Sequence, residues 1–591
     1  MMKVSDYIAH FFYERGIRHV FMVTGGGAMH LNDSFARSQP FQVTFNHHEQ
    51  ACAIAAEGLY RATGQVGIVN VTTGPGGLNA MTGLMGQWTD SIPAVYVSGQ
   101  VKFETTVASC REISLRQMGD QEVDIIPIVK NLTKYAVSVT DPGSIRRNLE
   151  EAWYRANDGR KGPVWIDVPM NVQGSLIEEN TLPSFVAPSI ESARIDWDSL
   201  LPELAGFHRP VIVAGHGIRL SGTEGYLIKL LERWKIPVVS TFNGFDLIPS
   251  DHPSYAGRIG TIGTRGGNFT LQNADGVLIL GSRNNIRQAS YNWLNYAHRA
   301  RKVVVDIDAA ELAKPTVRPD LAINADLKDF LPELVRRWTV PASDSWANWL
   351  AWATERNKRY PGARPEHYAE KDRINPYAFM ERWTSLLPPR SLVVAGNGTA
   401  CVALFQAGVL RRGQRMFWNS GCASMGYDLP AAIGAAAGGA PAVWCLAGDG
   451  SLQMNLQELA TVAYRRFPIK LVYLNNGGYA SIRQTQVNFF GSQYGCGITS
   501  GLGFPDMEKL ALAYGLPYVR SQDIDRVETD YRELDRIDGP AIWEILLKLD
   551  YSFEPKLSSE KLPDGRMVSK PLEDMFPFLP RDEFAQNMID R

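Results

Sequence analysis

The sequence predicts an α/β fold of three domains, each a mostly parallel sheet flanked by helices. Three observations lead there. Short apolar runs such as HVFMV, PVIVA and AVWCLA end in glycine-bearing turns, the pattern of strands buried on both faces. Between them lie amphipathic segments of helical period. Two stretches with proline breakers, 180–200 and 340–372, divide the 591-residue chain into parts, and that length allows three or four domains. A net charge of −2 gives no reason to expect nucleic acid or a membrane surface as partner. The six cysteines (Cys52, Cys110, Cys401, Cys422, Cys445, Cys496) form no CxxC pair, so buried free thiols are expected before disulfides or zinc. No apolar run reaches the ~18 residues of a membrane span.

The first domain is expected over 1–180. VSDYIAHFFYERG places Val4, Tyr7, Ile8, Phe11 and Phe12 on one helical face, unlike a signal peptide, so a cytoplasmic protein is expected. Gly16 ends that helix, and His19–Val23 is a strand running into the turn Thr24–Ala28. Glu49 precedes the helix Ala51–Ala62; an acid there also suits the helix dipole alone. Thr72–Gly77 (TTGPGG) lacks the GKS or GKT ending of a P-loop and reads as a tight turn. Pro163–Val168 is the closing strand.

The second domain is expected over 195–335. Its strands are Pro210–Ala214, Ile236–Ser240, Gly276–Leu280 and Lys302–Ile307, with a helix at Glu224–Trp234. Residues 340–372 read as a charged surface helix and then a linker. The third domain is expected over 373–591. Ser391–Ala395 is a strand ending at Gly396-Asn397-Gly398-Thr399. Ala442–Ala447 leads into Gly448-Asp449-Gly450. A helix Leu452–Arg466 follows, with Leu456, Leu459, Ala460 and Ala463 on one face, and then the strand Lys470–Leu474 and Asn475-Asn476. This unit puts Asp449 and Asn476 at the carboxyl edge of one sheet, where open α/β folds bind ligands. A carboxylate and an amide oxygen suit magnesium better than zinc, and Gly448 and Gly450 let a phosphate approach the backbone at a helix start.

GDG, twenty-four residues and NN resemble the diphosphate–metal signature of thiamine diphosphate (ThDP) enzymes. The order of motifs along nearly the whole chain resembles the acetohydroxyacid (acetolactate) synthase branch. The resemblance implies that Asp449, Asn476 and the Gly478 carbonyl hold Mg2+. It places Gly398, Thr399, Gly448, Gly450 and Ser451 around the diphosphate, and makes Met425, in SGCASMGYDLPAAIGAA, the prop that bends the cofactor. HHEQACAIAAEGLYRATG and VTTGPGGLNAMTGLMGQWTDSIPAVYVSGQ resemble the pyrimidine-binding domain. Glu49 is then the carboxylate that drives the aminopyrimidine toward the tautomer able to deprotonate the thiazolium carbon. Gly26 and Gly27 match the glycine turn beside the reacting carbon. Gln121 matches a segment near the 2-ketoacid, the alternative being a polar loop residue. GRIGTIGTRGGN, GSRNNIR and VDIDAAEL resemble segments that hold FAD, which implies roles for Arg283, Arg287 and Asp306; Arg287 also matches an arginine that reaches toward the acceptor. The tail KPLEDMFPFLPRDEFAQNM resembles an arm that folds over the site and excludes water.

The implied activity is a carboligase. It decarboxylates pyruvate and transfers the two-carbon unit to a carbonyl acceptor, either a second pyruvate or a ketone such as a nucleotide-linked 4-keto-deoxysugar. Three departures bear on the acceptor. Asp120 stands where the branch has Phe, Ser481 where it has Met, and Thr485 where it has Trp. Small polar residues open the pocket to a bulky hydroxylated acceptor, and the chain resembles synthase-like proteins of branched-sugar formation. The alternatives are a 2-ketoacid decarboxylase releasing an aldehyde and a non-catalytic cofactor binder; retention of Glu49, Asp449 and Asn476 speaks against the latter. In this family pyrimidine and diphosphate domains of different subunits meet, so a homodimer or homotetramer is expected.

Overall fold

The computed structural model describes residues 1–188, 195–338, 344–370 and 372–589. Three six-stranded sheets, every neighbouring pair parallel, form its frame. Counted within each domain, the first and third sheets share the strand order 2-1-3-4-6-5, while the central sheet has the order 3-2-1-4-5-6. In the first and third sheets the last strand returns inside the fifth, and each of the three orders reverses direction between strands His19–Met22 and Ile68–Val71, Pro210–Ala214 and Gly276–Leu280, and Leu392–Ala395 and Val443–Gly448. Loops leaving the carboxyl ends of adjacent strands diverge there and open a crevice.

The strands are buried because helices cover both faces. Val164–Pro169 and Val443–Gly448 are buried throughout, as their unbroken apolar runs require. The amino-terminal helix Val4–Glu14 buries Val4, Tyr7, Ile8, Phe11 and Phe12, the face read from the sequence. Between the first and third domains, helix Glu49–Thr63 lies directly on helix Asp428–Ala437. Their contact surfaces are alanine and glycine, and the backbones nearly touch: a Cβ at Gly58 would sit 2.1 Å from the Ala431 carbonyl oxygen, and one at Gly434 1.9 Å from that of Ala55. Beside this contact, Arg61 bridges Glu57 (2.8 Å) and Asp90 (2.7 Å) with all three side chains buried, and Asn419 reaches Glu57 from the third domain.

The structure corrects several expectations. The helix Leu452–Arg466 is two helices, Asp449–Met454 and Glu458–Arg465. Asn455 interrupts it because its amide bonds outward, to the Gly426 carbonyl at 2.8 Å and Gln50 at 3.0 Å. A helix, Trp197–Ala205, begins inside the stretch read as linker, of which 189–194 lie outside the described residues. Helix Asp344–Arg359 is no surface rod: Trp346, Trp349 and Ala353 are buried against the central domain, whereas 340–343 and 371 of that stretch lie outside the described residues. All six cysteines are free, but Cys110 and Cys422 are only half-buried. The carboxyl-terminal tail straps the central domain. Arg265 donates to the Met575 carbonyl (3.1 Å), Gln272 to Glu573 (2.7 Å) and Asn273 to the Asn587 carbonyl (3.0 Å), while Phe584 and Met588 pack on Phe269.

Candidate functional site

In each domain the expected site residues sit on loops at the carboxyl edge. In the first, Gly26 and Gly27 follow strand His19–Met22, Glu49 follows Gln42–Phe45, and Thr72–Gly76 follow Ile68–Val71. Glu49 occupies the first turn of helix Glu49–Thr63, next to the cap His48, whose ring accepts the Gln50 N–H. Its side chain is buried; Asn79 donates to Oε2 at 3.0 Å, and Oε1 faces the Gly76 backbone. Gly27 abuts Thr72 and Thr73, and Gln173 donates to its carbonyl at 2.7 Å. Gln121 is exposed, in the left-handed region at φ 59°, with its carbonyl resting on Gly74. Glu122 beside it is buried and accepts the N–H groups of Val107 (2.5 Å), Met118 (2.9 Å) and Gly119 (3.1 Å), which pins this loop to the rim. Glu49, Gly26, Gly27 and Gln121 thus belong to one cluster. Asn79 and Glu122 join it without having been singled out in the sequence.

The third domain carries the second cluster. Asp449 is buried, and burial pushes its carboxyl up to about 7 despite N–H bonds from Gly478 (2.5 Å) and Asn476 (3.1 Å). The Asn476 side chain is fixed at both ends: Nδ2 donates to the Leu474 carbonyl at 3.1 Å, and Oδ1 accepts from Tyr551 at 2.8 Å and Thr399 at 3.3 Å. Gly478 has φ 132°, and a Cβ there would meet the Cys496 carbonyl at 2.1 Å, so only glycine carries the chain through this turn. Gly450 faces the Tyr479 ring. Gly398 caps helix Thr399–Ala407 with open space before it, and Ser451 accepts the Gly426 N–H at 3.0 Å. Nearby, the Asp428 carboxyl, raised to about 6 by burial, leaves Oδ2 without a hydrogen-bond partner among the described residues. Met425 lies half-buried in the preceding loop. No three His, Cys, Asp or Glu side chains converge among the described residues. A cation here would rest on one carboxylate and amide oxygens, a hard donor set that fits magnesium, and the helix start at Thr399 fits a diphosphate.

The clusters meet through neighbours: Gln50 accepts from Asn455, and Glu458 accepts Asn46 Nδ2 and the His47 N–H, each at 2.9 Å. No hydrogen bond joins Glu49 itself to the Asp449 cluster among the described residues.

At the switch point of the central sheet lies a cavity of about 350 Å3. Arg283 and Asp306 line it with Asp90, Arg160, Lys161 and His216. Burial raises the Asp306 carboxyl to about 6 and lowers the His216 ring to about 3. Asp90 Oδ1 and His216 Nε2 have no hydrogen-bond partner among the described residues. Size, position and buried polar atoms suit a nucleotide. Arg287 does not line the cavity, but its guanidinium lies at 4.9 Å over the ring of Phe242, which does. Ser481 and Thr485 are exposed one turn apart on helix Ala480–Phe490, with the Thr485 hydroxyl donating to the Ser481 carbonyl at 3.0 Å.

Comparison with known families agrees with this architecture. Residues 2–128 match the thiamine pyrophosphate enzyme N-terminal TPP binding domain, 198–334 the central domain and 396–545 the C-terminal TPP binding domain. The chain belongs to the thiamine pyrophosphate enzymes. Within them it is similar to the acetolactate synthase large subunit of Lactococcus lactis, with 31% identity over 540 residues and 90% of each chain covered. It is similar to two Escherichia coli proteins as well: acetolactate synthase isozyme 1 large subunit, at 27% identity over 93% of this chain and 95% of the relative, and isozyme 3 large subunit, at 30% over 87% and 89%. It is an acetolactate synthase-like, ThDP-dependent enzyme of C–C bond formation. Among the described residues no helix is long and apolar enough to cross a membrane.

Proposed function

We propose that the chain decarboxylates pyruvate and transfers the two-carbon unit to a carbonyl acceptor bulkier than pyruvate, a nucleotide-linked 4-keto-deoxysugar being the class that fits. One observation carries the choice of acceptor: Ser481 and Thr485, small and hydroxylated, are exposed together on one helix beside the metal-site loop. Bound ThDP supplies a nucleophilic carbon and an electron sink for decarboxylation of a 2-ketoacid. The protein's part is local. Asp449, Asn476 and the Gly478 carbonyl hold Mg2+, and Gly398, Thr399, Gly448, Gly450 and Ser451 surround the diphosphate. Met425 would pack against the bound cofactor. Glu49, fixed through Oε2 by Asn79, exchanges a proton with the ring through Oε1. Gln121, on its pinned loop, orients the donor beside Gly27. The central cavity takes FAD, with Arg283, Arg287 and Asp306 as contacts, and Arg287 also reaches toward the acceptor.

Because Glu49 and Asp449 lie in separate clusters of one chain, the working site is formed by two copies, a homodimer at least. The experiment supplies ThDP, Mg2+ and pyruvate, with and without keto-sugar nucleotides, analyses products by mass and records flavin absorbance. A branched product formed in preference to acetolactate is expected. Acetolactate made at full rate, with no change on adding other ketones, overturns the acceptor assignment. Aldehyde as the sole product favours the decarboxylase reading.

A further inference from the structure

The Asn476 amide must present oxygen, not nitrogen, to a cation, and the two ends of an amide differ little in shape. In this chain the choice is made by partners. The Leu474 carbonyl accepts only from a donor and so fixes Nδ2 at 3.1 Å. On the other side stands Tyr551, buried, its hydroxyl 2.8 Å from Oδ1. A phenol can donate or accept, so with the Leu474 carbonyl fixing Nδ2 its hydroxyl donates to Oδ1 and holds the amide in that orientation. The Thr399 hydroxyl touches the Tyr551 oxygen and closes a three-residue chain. Tyr551 is in turn clamped from the helix that carries Ser481 and Thr485: Gln484 donates to the Tyr551 carbonyl at 3.0 Å and accepts the Phe553 N–H at 3.2 Å. Arg483 on the same helix ties the Asn476 carbonyl (3.2 Å) to that of Leu549 (2.9 Å). Tyr551 also lies beyond residue 545, where the match to the family's C-terminal domain ends.

We infer that Tyr551 is a positioning residue for the metal site: its hydroxyl, acting with the Leu474 carbonyl, holds the orientation of the Asn476 amide, and Gln484 couples that setting to the substrate-lining helix. The inference rests on the metal site proposed above. Partners that orient metal ligands are worth about 10- to 100-fold in metal affinity.

The test is a Mg2+ titration of ThDP capture, followed by protein fluorescence without substrate. Tyr551→Phe removes one oxygen and is expected to raise the half-saturating Mg2+ concentration about 10- to 100-fold. The same change made in Asn476→Asp, where both side-chain ends are oxygens, is expected to cost less than about threefold, because no orientation remains to be set. Equal losses in the two backgrounds would reduce Tyr551 to packing and overturn the inference, as would an unchanged titration in the single variant. Asp449→Ala separates the two readings. If it too leaves the Mg2+ titration unchanged, the metal site itself is misplaced; if it abolishes the response while Tyr551→Phe does nothing, only the orienting role fails.

Discussion

In the proposed mechanism much of the chemistry depends on single side chains such as Glu49 and their immediate partners. Replacing Glu49 with Gln keeps the shape and the Asn79 contact but removes the proton acceptor. Turnover is expected to fall by about 10²–10⁴-fold with an unchanged far-ultraviolet spectrum, and full activity in the purified variant would end its assignment. Asp449→Ala should abolish Mg2+-dependent ThDP capture, measured without any substrate. At this scale the sequence was legible where a short interval brings two loop residues together, as Asp449 and the Asn476 N–H at 3.1 Å, and illegible where contacts cross the fold. Asn79 lies 30 residues from Glu49 and Tyr551 75 from Asn476; neither separation carries a periodic or motif signal. Arg287 shows both. A motif position put it with the flavin segment, but its contact with the cavity-lining Phe242 ring is one that spacing does not foretell.

Elements were read well when their period was clean and poorly when a side chain overrode it. The strands Pro210–Ala214 and Gly276–Leu280 match the sequence reading to the residue, because a buried parallel strand needs an unbroken apolar run. The helix expected from Leu452 breaks because Asn455 satisfies backbone and side-chain groups outside it, which apolar spacing does not register. The tryptophans of helix Asp344–Arg359 sat among so many charges that a surface helix was expected, but Trp349 Nε1 finds the Pro210 carbonyl at 2.9 Å and is buried. The contact between helices Glu49–Thr63 and Asp428–Ala437 makes its own prediction. Gly434→Ala drives a methyl into the Ala55 carbonyl and should destabilise by about 1–3 kcal/mol or more in denaturant unfolding; a neutral result would contradict the close approach. In the first sheet, burial pushes Asp167 up to about 7, although Ser98 donates to it at 2.6 Å. Its folded value exceeds the ordinary 3.8, so the folded state holds the proton more tightly. The associated stability is full below about pH 4 and is lost as pH rises through about 7. Relative to Asp167→Asn, the parent protein should therefore lose melting temperature between pH 5 and pH 8. A constant difference across that range would contradict the assignment.

For the whole molecule, three sheets of parallel strands place three sets of loops at three switch points, and the first and third sheets repeat one topology. Glu49 and Asp449 occupy carboxyl-edge loops of these two matching sheets, yet among the described residues their clusters are joined through neighbours such as Gln50, Asn455 and Glu458, with no hydrogen bond from Glu49 to the Asp449 cluster. The site shared by two copies proposed above is the central claim. The direct measurement mixes Glu49→Gln and Asp449→Ala subunits after dissociation and reassociation, then assays pyruvate consumption. Each variant alone is inactive. In a mixed dimer one of the two sites receives both intact clusters, so an equal mixture should recover about a quarter of the parent activity. Activity that never rises above either variant alone, in a mixture where hybrid dimers are verified by mass, would contradict a site built from two chains.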